Sequence, residues 1–578
     1  FSQRDVLTIT SRFEHEGLSF LTITLPEFCS DFERSLDNSR IDPSFFRSFR
    51  KNARIPAFLR GIVGLVFDKA GYLRSDASAL AIKCIRQICL AAKKLKYPCS
   101  DTRTYRAKMK YRSIEEQISA IHDSPRMCDL VATFRFLFKG IEKLVPSAVD
   151  AHHGPGTSYE RVRLPNQKTK SMSWDSTLDD VFSYSEFVMP FLAYYSDGET
   201  HQEFGKQLPS RVICVPKTLK SPRIIAAEPL SHQYCQQSVK DVLVDWMERR
   251  WKFAGQINFS DQTINQRYAM KGSVDGTVAT IDLSDASDRV PYTYVRQCFD
   301  GIPIWDYINA CRTTQADLDG EIISLSKFAS MGSALCFPVE AMFFYAICVM
   351  SQLEYHRQPI TARCVKKYAR SCFAYGDDLI VPSATVPLTI KNLEEFFLKV
   401  NVHKTFAKGK FRESCGKDYF GGTLVTPVYL RDIPLNRHSD ASSKVSFAAF
   451  CRSLDESGYL QTACLAYDYL ASVMGELSIT TSGTSMIGVS DIGMCRYLYP
   501  TSNRKKWDPH TQRLLQKVPT VMPQYVRDVT DGYFGLSDSL RDLERGSQNE
   551  PQSGHDRRSQ SVVRGVSHLR HRWVAVIA

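Results

Sequence analysis

Apolar residues recur in alternating steps of four and three through Ala81, Ile85, Ile88, Ala92 and Leu95, the spacing that keeps one face of a helix dry. It is the clearest such pattern in residues 1–150, which read as mostly helical. A Gly/Pro-containing loop follows at His152-His153-Gly154-Pro155-Gly156-Thr157, and its paired histidines, without further ligands at suitable spacing, fit a turn better than a metal site. Between residues 208 and 229 the period shortens to that of strands. Residues 211–215 and 223–227 are β-like runs around a turn that contains Lys217, Lys220 and Ser221-Pro222. From Lys271 to about Thr426 strand, turn and helix alternate, with a helix expected over 393–400. Residues 440–545 read as helical again, with Phe447, Ala448, Phe450, Leu465, Tyr467 and Leu470 as core positions. The tail from about Arg545 is rich in Arg, Ser, Gln and Gly and is expected to be mobile. The longest apolar run, 334–350, is interrupted by Pro338 and Glu340 and reads as too short for a membrane span.

A chain of 578 residues, 43% hydrophobic and 11% aromatic, can bury a large core divided into several domain-sized units. The net charge of +12 favours a polyanionic partner without specifying one. Its distribution says more: residues 204–252 carry nine Lys/Arg against four Asp/Glu, and residues 546–578 carry five Arg against two acids. The 17 cysteines form no CxxC pair, which points to free thiols in a reducing compartment and to a soluble, cytoplasmic protein. The first residue is Phe1 rather than Met, which fits processing or a missing start.

Two segments carry candidate chemistry. In Val278-Ala279-Thr280-Ile281-Asp282 a β-branched, apolar run ends in an acid, as a buried strand does at an active-site edge; Asp285 and Asp288 follow. In Phe373-Ala374-Tyr375-Gly376-Asp377-Asp378-Leu379-Ile380-Val381 two apolar runs flank a Gly-Asp turn, a hairpin signal whose tip presents adjacent carboxylates. Like charges in an apolar hairpin are costly, and a divalent cation with oxygen ligands is the simplest compensation. An exposed turn, where Asp is common, is the bland alternative for Asp377 and Asp378 taken alone. Lys217, Lys220 and Arg223 on the upstream hairpin suit a triphosphate, although basic turn residues are usually just exposed. Ser330-Met331-Gly332-Ser333 before the apolar run fits either close approach of backbone to a template or nucleotide, or a simple Ser-capped helix start. Lys404 is placed to neutralise or protonate a leaving group.

The order of basic hairpin, Asp strand, Gly-Ser loop with helix, Tyr-Gly-Asp-Asp hairpin and Lys segment resembles motifs F, A, B, C and D of RNA-dependent RNA polymerases. More narrowly it resembles the replicase β subunits of single-stranded RNA bacteriophages, the levivirus group. The stretches that carry the likeness are Asp261 to Arg267, Gly272 to Gly276, Ala279 to Ser284, Lys404-Thr405-Phe406 and Phe411 to Gly416, with Val215-Pro216-Lys217, Arg223 and Glu228-Pro229 upstream. The likeness runs from about Val212 to Gly422 and is faint outside it.

The resemblance implies an α+β, right-hand polymerase: fingers, a palm of antiparallel sheet plus helices, and a helical thumb. Residues 1–150 would form a mostly helical N-terminal region or part of the fingers, 151–270 fingers with the basic motif, and 271–435 the palm. Residues 436–545 would be the thumb and 546–578 a basic, flexible tail. It implies that Asp282, Asp377 and Asp378 coordinate two Mg²⁺ ions, with Mn²⁺ as a substitute, in a two-metal nucleotidyl transfer. Asp288 would contact the incoming ribose, Lys217, Lys220 and Arg223 the triphosphate, and Lys404 would stand in place of the general acid. The 330–333 loop, including Ser333, would support template and nucleotide. Where related chains read Gly-Asn-Gly, this one reads Gly332-Ser333-Ala334, so an Asn near the sugar is missing; Asp285 reads as solvent-facing. Implied partners are RNA template and product, nucleoside triphosphates, bacterial elongation factors Tu and Ts and a ribosomal protein, with no membrane, in the cytoplasm of an infected bacterium. A reverse transcriptase is the near rival, and a non-catalytic RNA-binding protein with a palm fold the distant one. The absence of a GxxxxGK[ST] loop leaves a helicase or ATPase unsupported.

Overall fold

The computed structural model describes residues 3–154, 156–162, 168, 171–188, 205–481, 484–499, 505–526 and 561–575. The helix Cys336–Tyr355 is apolar on nearly every side, is exposed only at its end, Glu354 and Tyr355, and lies at the centre of the largest core. Its 20 residues are long and apolar enough to cross a membrane, contrary to the expectation from its Pro and Glu, but 94% of the apolar window is buried inside the protein. Around it pack the helices Met127–Leu137 and Val386–Glu395 and the sheet that bears the acids.

That sheet is antiparallel, in the order Val278–Ile281, Asp378–Pro382, Phe373–Tyr375. Phe406 extends it by exchanging two backbone hydrogen bonds with Thr280, at 3.1 and 3.0 Å. The helix Thr263–Asp275 braces it, with Tyr268 stacked on Phe373 at 3.9 Å between ring centroids. A second sheet holds the basic hairpin, Ser210–Val215 with Arg223–Ala227, joined in parallel by Gln315–Leu318 and then Glu321–Ser324. The architecture is thus mixed helix and sheet, as expected for an α+β chain.

The N-terminal helices are not independent of this centre. Phe20, Phe28, Phe32 and Ile85 share one core with Phe406, Phe411, Phe420 and Val425, more than 300 positions along the chain. At its edge the buried Arg86 guanidinium lies 3.0 Å from both Glu33 and Asp418 and over the Phe411 ring.

Several local expectations are corrected. The periodic helix ends at Leu90, although Leu95 is still buried in the turns that follow. The helix expected over 393–400 runs instead from Val386 to Glu395; Phe397 then takes φ +70° and Lys399–Val400 pairs as a strand with Leu283–Ser284. Among the described residues between 440 and 545, Ala441–Glu456 and Leu460–Met474 are the long helices. Phe447, Ala448, Tyr467 and Leu470 are buried there, whereas Leu465 is 71% exposed. The described part of the tail is a strand, Ser561–Ala575, paired antiparallel with Arg513–Val526, which pairs in turn with Lys505–Asp508. Residues 546–560 and 576–578 lie outside the described residues.

Candidate active site

The hairpin that carries Asp377 and Asp378 is closed by a two-residue loop, since Tyr375 pairs with Asp378. Gly376 takes φ +59°, and a Cβ there would stand 2.2 Å from the Phe337 ring, so both the turn and the close approach require glycine. The register places Leu379 opposite Ile281 and Ile380 opposite Thr280. Continued by one residue, it sets Asp378 across from Asp282, on strands that meet far apart in sequence. Neighbouring side chains hold the hairpin in place: Gln262 donates to the Tyr375 hydroxyl at 3.2 Å and Asn265 to the Asp378 carbonyl at 3.0 Å.

The electrostatics of this edge are dominated by acids that lack enough positive charge. Burial, together with repulsion from Asp377, Asp282 and Glu413, pushes the Asp378 carboxyl up to about 7. Burial likewise pushes Asp282 up to about 6, with Asp377 and Glu413 adding to it and Lys404 and Asn401 opposing. Asn401 donates to Asp282 Oδ2 at 2.7 Å, and Lys404 Nζ sits 3.7 Å from Asp282 Oδ1 and 3.5 Å from Glu413. Glu413, followed by the desolvation that opposes it, raises the Lys404 ammonium pKa well above its ordinary value. Beneath the hairpin the buried Glu340 carboxyl on the central helix is pushed well up by burial and by Asp377.

This donor set suits a hard divalent cation: carboxylate oxygens whose repulsion is uncompensated. Among the described residues no three His, Cys, Asp or Glu side chains stand ready around one point. Asp282 is instead bonded to Asn401, and Asp378 Oδ2 accepts the Cys415 backbone N–H at 3.2 Å. These bonds each take one carboxylate oxygen and leave Asp282 Oδ1 and Asp378 Oδ1 for a cation.

The remaining expected residues are placed in different ways. Lys217, on the basic hairpin, faces the acids: desolvation, Arg223 and Lys404 lower its pKa, while Asp377 and Asp282 raise it; Arg223, paired across the hairpin with Val215, is close enough to repel Lys217. Lys220 is set elsewhere, its Nζ 2.8 Å from Glu27 in an exposed pair. Asp288 lies in the turn Ser287–Arg289 and is bonded to Lys327 at 2.9 Å. Asp285, expected in solvent, is instead paired with Lys110 at 2.6 Å and takes φ +53°.

The Ser330–Ser333 loop enters the central helix and packs against the basic hairpin. Ser333 Oγ accepts the Leu335 N–H at 3.3 Å. Gly332, at φ +133°, would place a Cβ 1.9 Å from the Ala226 carbonyl oxygen, so what approaches closely is the basic hairpin. The Ala226 N–H donates to the Met331 carbonyl at 2.8 Å, which ties the loop to that hairpin. His152 makes a local contact to the Asp150 carbonyl at 2.9 Å. The sequence reading gives no functional role to Glu413, Asn401, Glu340 or Lys327. Glu413 lies inside Phe411 to Gly416, one of the stretches that carry the resemblance, and Glu340 is the acid that interrupts the apolar run.

Comparison with known proteins places the same segment. A family described as RNA replicase, beta-chain, matches residues 186–440. The RNA-directed RNA polymerase beta chain of Escherichia phage MS2 is 36% identical over 229 residues, 40% of this chain and 39% of that protein. That of Enterobacteria phage fr is 36% identical over 220 residues, 38% of this chain and 37% of the relative. The RNA-directed RNA polymerase subunit beta of Escherichia virus Qbeta is 34% identical over 226 residues, 38% and 35% of the two chains. The match therefore spans about two fifths of these relatives' length and bears out the resemblance for the central part of the chain, which holds every expected site residue.

Proposed function

We propose that this chain is an RNA-dependent RNA polymerase that replicates a phage RNA genome, transferring nucleoside monophosphates from triphosphates to an RNA 3′-hydroxyl. The observation that carries the reading is the convergence of Asp282, Asp377 and Asp378 on one sheet edge, facing Lys217 and Lys404. The match to replicase beta chains supports it. In this reading the acid-bearing sheet is the palm of a right hand, the basic hairpin belongs to the fingers and the 441–474 helices to the thumb.

Asp282, Asp377 and Asp378 would hold two Mg²⁺ ions, or Mn²⁺ in their place. When bound, such ions supply charge neutralisation of the triphosphate and activation of the attacking hydroxyl. Lys217 and Arg223 bind the phosphates, where their mutual repulsion leaves two cations short of an anion. Lys404 is held protonated by Glu413 and Asp282, so it arrives at the site with a proton to place on the departing pyrophosphate. Asp288 accepts the ribose 2′-hydroxyl. Partners of the class bacterial elongation factors Tu and Ts and a ribosomal protein fit this reading, as does work in the host cytoplasm.

The test is incorporation of labelled ribonucleotides on a defined RNA template with Mg²⁺, with elongation factors added to half the reactions. Template-dependent product in either half is expected. A folded protein that binds RNA but incorporates nothing in both halves would favour a non-catalytic palm instead.

A further inference from the structure

Lys327 is fully buried, an expensive place for an ammonium unless its partners are good. Its Nζ is 3.0 Å from Glu115 Oε1 and 2.9 Å from Asp288 Oδ1, and it lies 3.4 Å from the centre of the Tyr111 ring. Tyr111 and Glu115 sit four residues apart on the helix Asp101–Ser119, hence on one face, in the N-terminal region. Glu115 Oε2 also accepts the backbone N–H groups of Ser326 and Lys327, at 2.7 and 3.3 Å. Arg312 donates to the Lys327 carbonyl at 2.7 Å. The lysine is thus fixed at its backbone as well as at its head. The Tyr111 hydroxyl continues the chain of contacts to Ser330 Oγ at 2.8 Å, the first residue of the loop that enters the central helix.

Asp288 has none of this rigidity of its own: it stands in a single short turn and remains partly exposed. Lys327 takes one carboxylate oxygen, Oδ1, and among the described residues no protein donor is bonded to the other. We propose that Lys327, locked by Glu115 and Tyr111, is a positioning residue that aims the free oxygen of Asp288 at the nucleotide sugar and so sets discrimination between ribo- and 2′-deoxyribonucleotides. The inference rests on the polymerase reading above. It gives the Asp101–Ser119 helix a part in substrate choice, although that helix contributes no group that touches substrate.

Lys327 preorganises Asp288. A site built to accept a substrate hydroxyl discriminates strongly against an analogue that lacks it, provided the acceptor is already in place. An Asp288 freed from Lys327 could rotate into solvent, and the hydrogen bond to the 2′-hydroxyl would then be made at the cost of ordering that side chain. Only the ribonucleotide uses that bond, so its loss falls on one substrate.

The experiment compares kcat/KM for a ribonucleoside triphosphate and its 2′-deoxy counterpart on one primed RNA template, in the full chain and its Lys327→Met, Lys327→Arg, Glu115→Gln and Tyr111→Leu variants. Lys327→Met is expected to lower the ribo-to-deoxy preference by roughly ten- to a hundredfold, through the ribonucleotide alone. Lys327→Arg should restore part of it. If Lys327→Met does not fold, Glu115→Gln and Tyr111→Leu carry the test, with smaller shifts in the same direction. Equal losses for both nucleotides, or an unchanged ratio in the folded variants, would overturn the inference while leaving the polymerase standing. A wild-type chain that incorporates neither nucleotide would remove the polymerase reading, and this inference with it.

Discussion

Removing a charge from the proposed metal site should make the protein more stable, and Asp378→Asn is the cleanest case. The Asp378 carboxyl is pushed from an ordinary 3.8 up to about 7 by burial and by Asp377, Asp282 and Glu413. A raised folded pKa means that the native state keeps a proton that the unfolded chain has already lost. Stability therefore falls as pH rises from about 4 to about 7, and the full penalty is present above that window. Three pKa units correspond to about 4 kcal/mol as an upper bound. Water at the cleft and repulsion shared with Asp282 reduce this to about 1–3 kcal/mol. Asparagine keeps an oxygen for the Cys415 N–H and removes the charge. Urea unfolding at pH 8 without divalent ions should show the variant more stable than wild type by that amount, and the gap should shrink steadily towards pH 4. Added Mg²⁺ should stabilise wild type and not the variant, because binding to the native state alone shifts the equilibrium. A variant no more stable at pH 8, or a gap that ignores pH, would refute the argument that these acids are short of a cation.

Other consequences follow from single residues. Arg86→Met should destabilise the fold by about 3–5 kcal/mol in urea unfolding, because Glu33 and Asp418 would be left buried without their cation. Gly376→Ala combines φ +59° with a Cβ 2.2 Å from Phe337, and is expected to abolish elongation and lower the melting temperature. Lys404→Met should cut kcat by roughly a hundredfold or more while leaving RNA affinity within about twofold, as read by single-turnover extension and filter binding.

How much of this was legible in the sequence depended on the range of the interactions. The Asp377-Asp378 hairpin is local: a Gly-Asp turn between two apolar runs settles its own geometry, and the two-residue loop is found there. The basic hairpin was legible for the same reason, but Lys220 was not, since its partner Glu27 is almost 200 positions away. The end of the 386–395 helix was misread because Phe396, Phe397 and Leu398 prolong the apolar pattern past the residue where Phe397 turns left-handed. The C-terminal strands were missed because 561–575 is rich in Arg and His, and only its pairing with 513–526 makes it a strand. The Glu115–Lys327–Asp288 network joins three separate stretches, each of which alone looks like surface charge. The bond between the 20–90 region and residues 406–425 is of the same long-range kind.

The central claim is that Asp282, Asp377 and Asp378 form the cation site of a template-directed RNA polymerase. Its most direct test is extension of a primed RNA template over a Mg²⁺ titration, comparing wild type with Asp282→Asn and with the Asp377→Asn/Asp378→Asn pair, each checked for an unaltered fold. Wild type is expected to give Mg²⁺-dependent product of template-complementary sequence, and either variant at least a thousandfold less. Wild-type-like extension by a folded variant would contradict it.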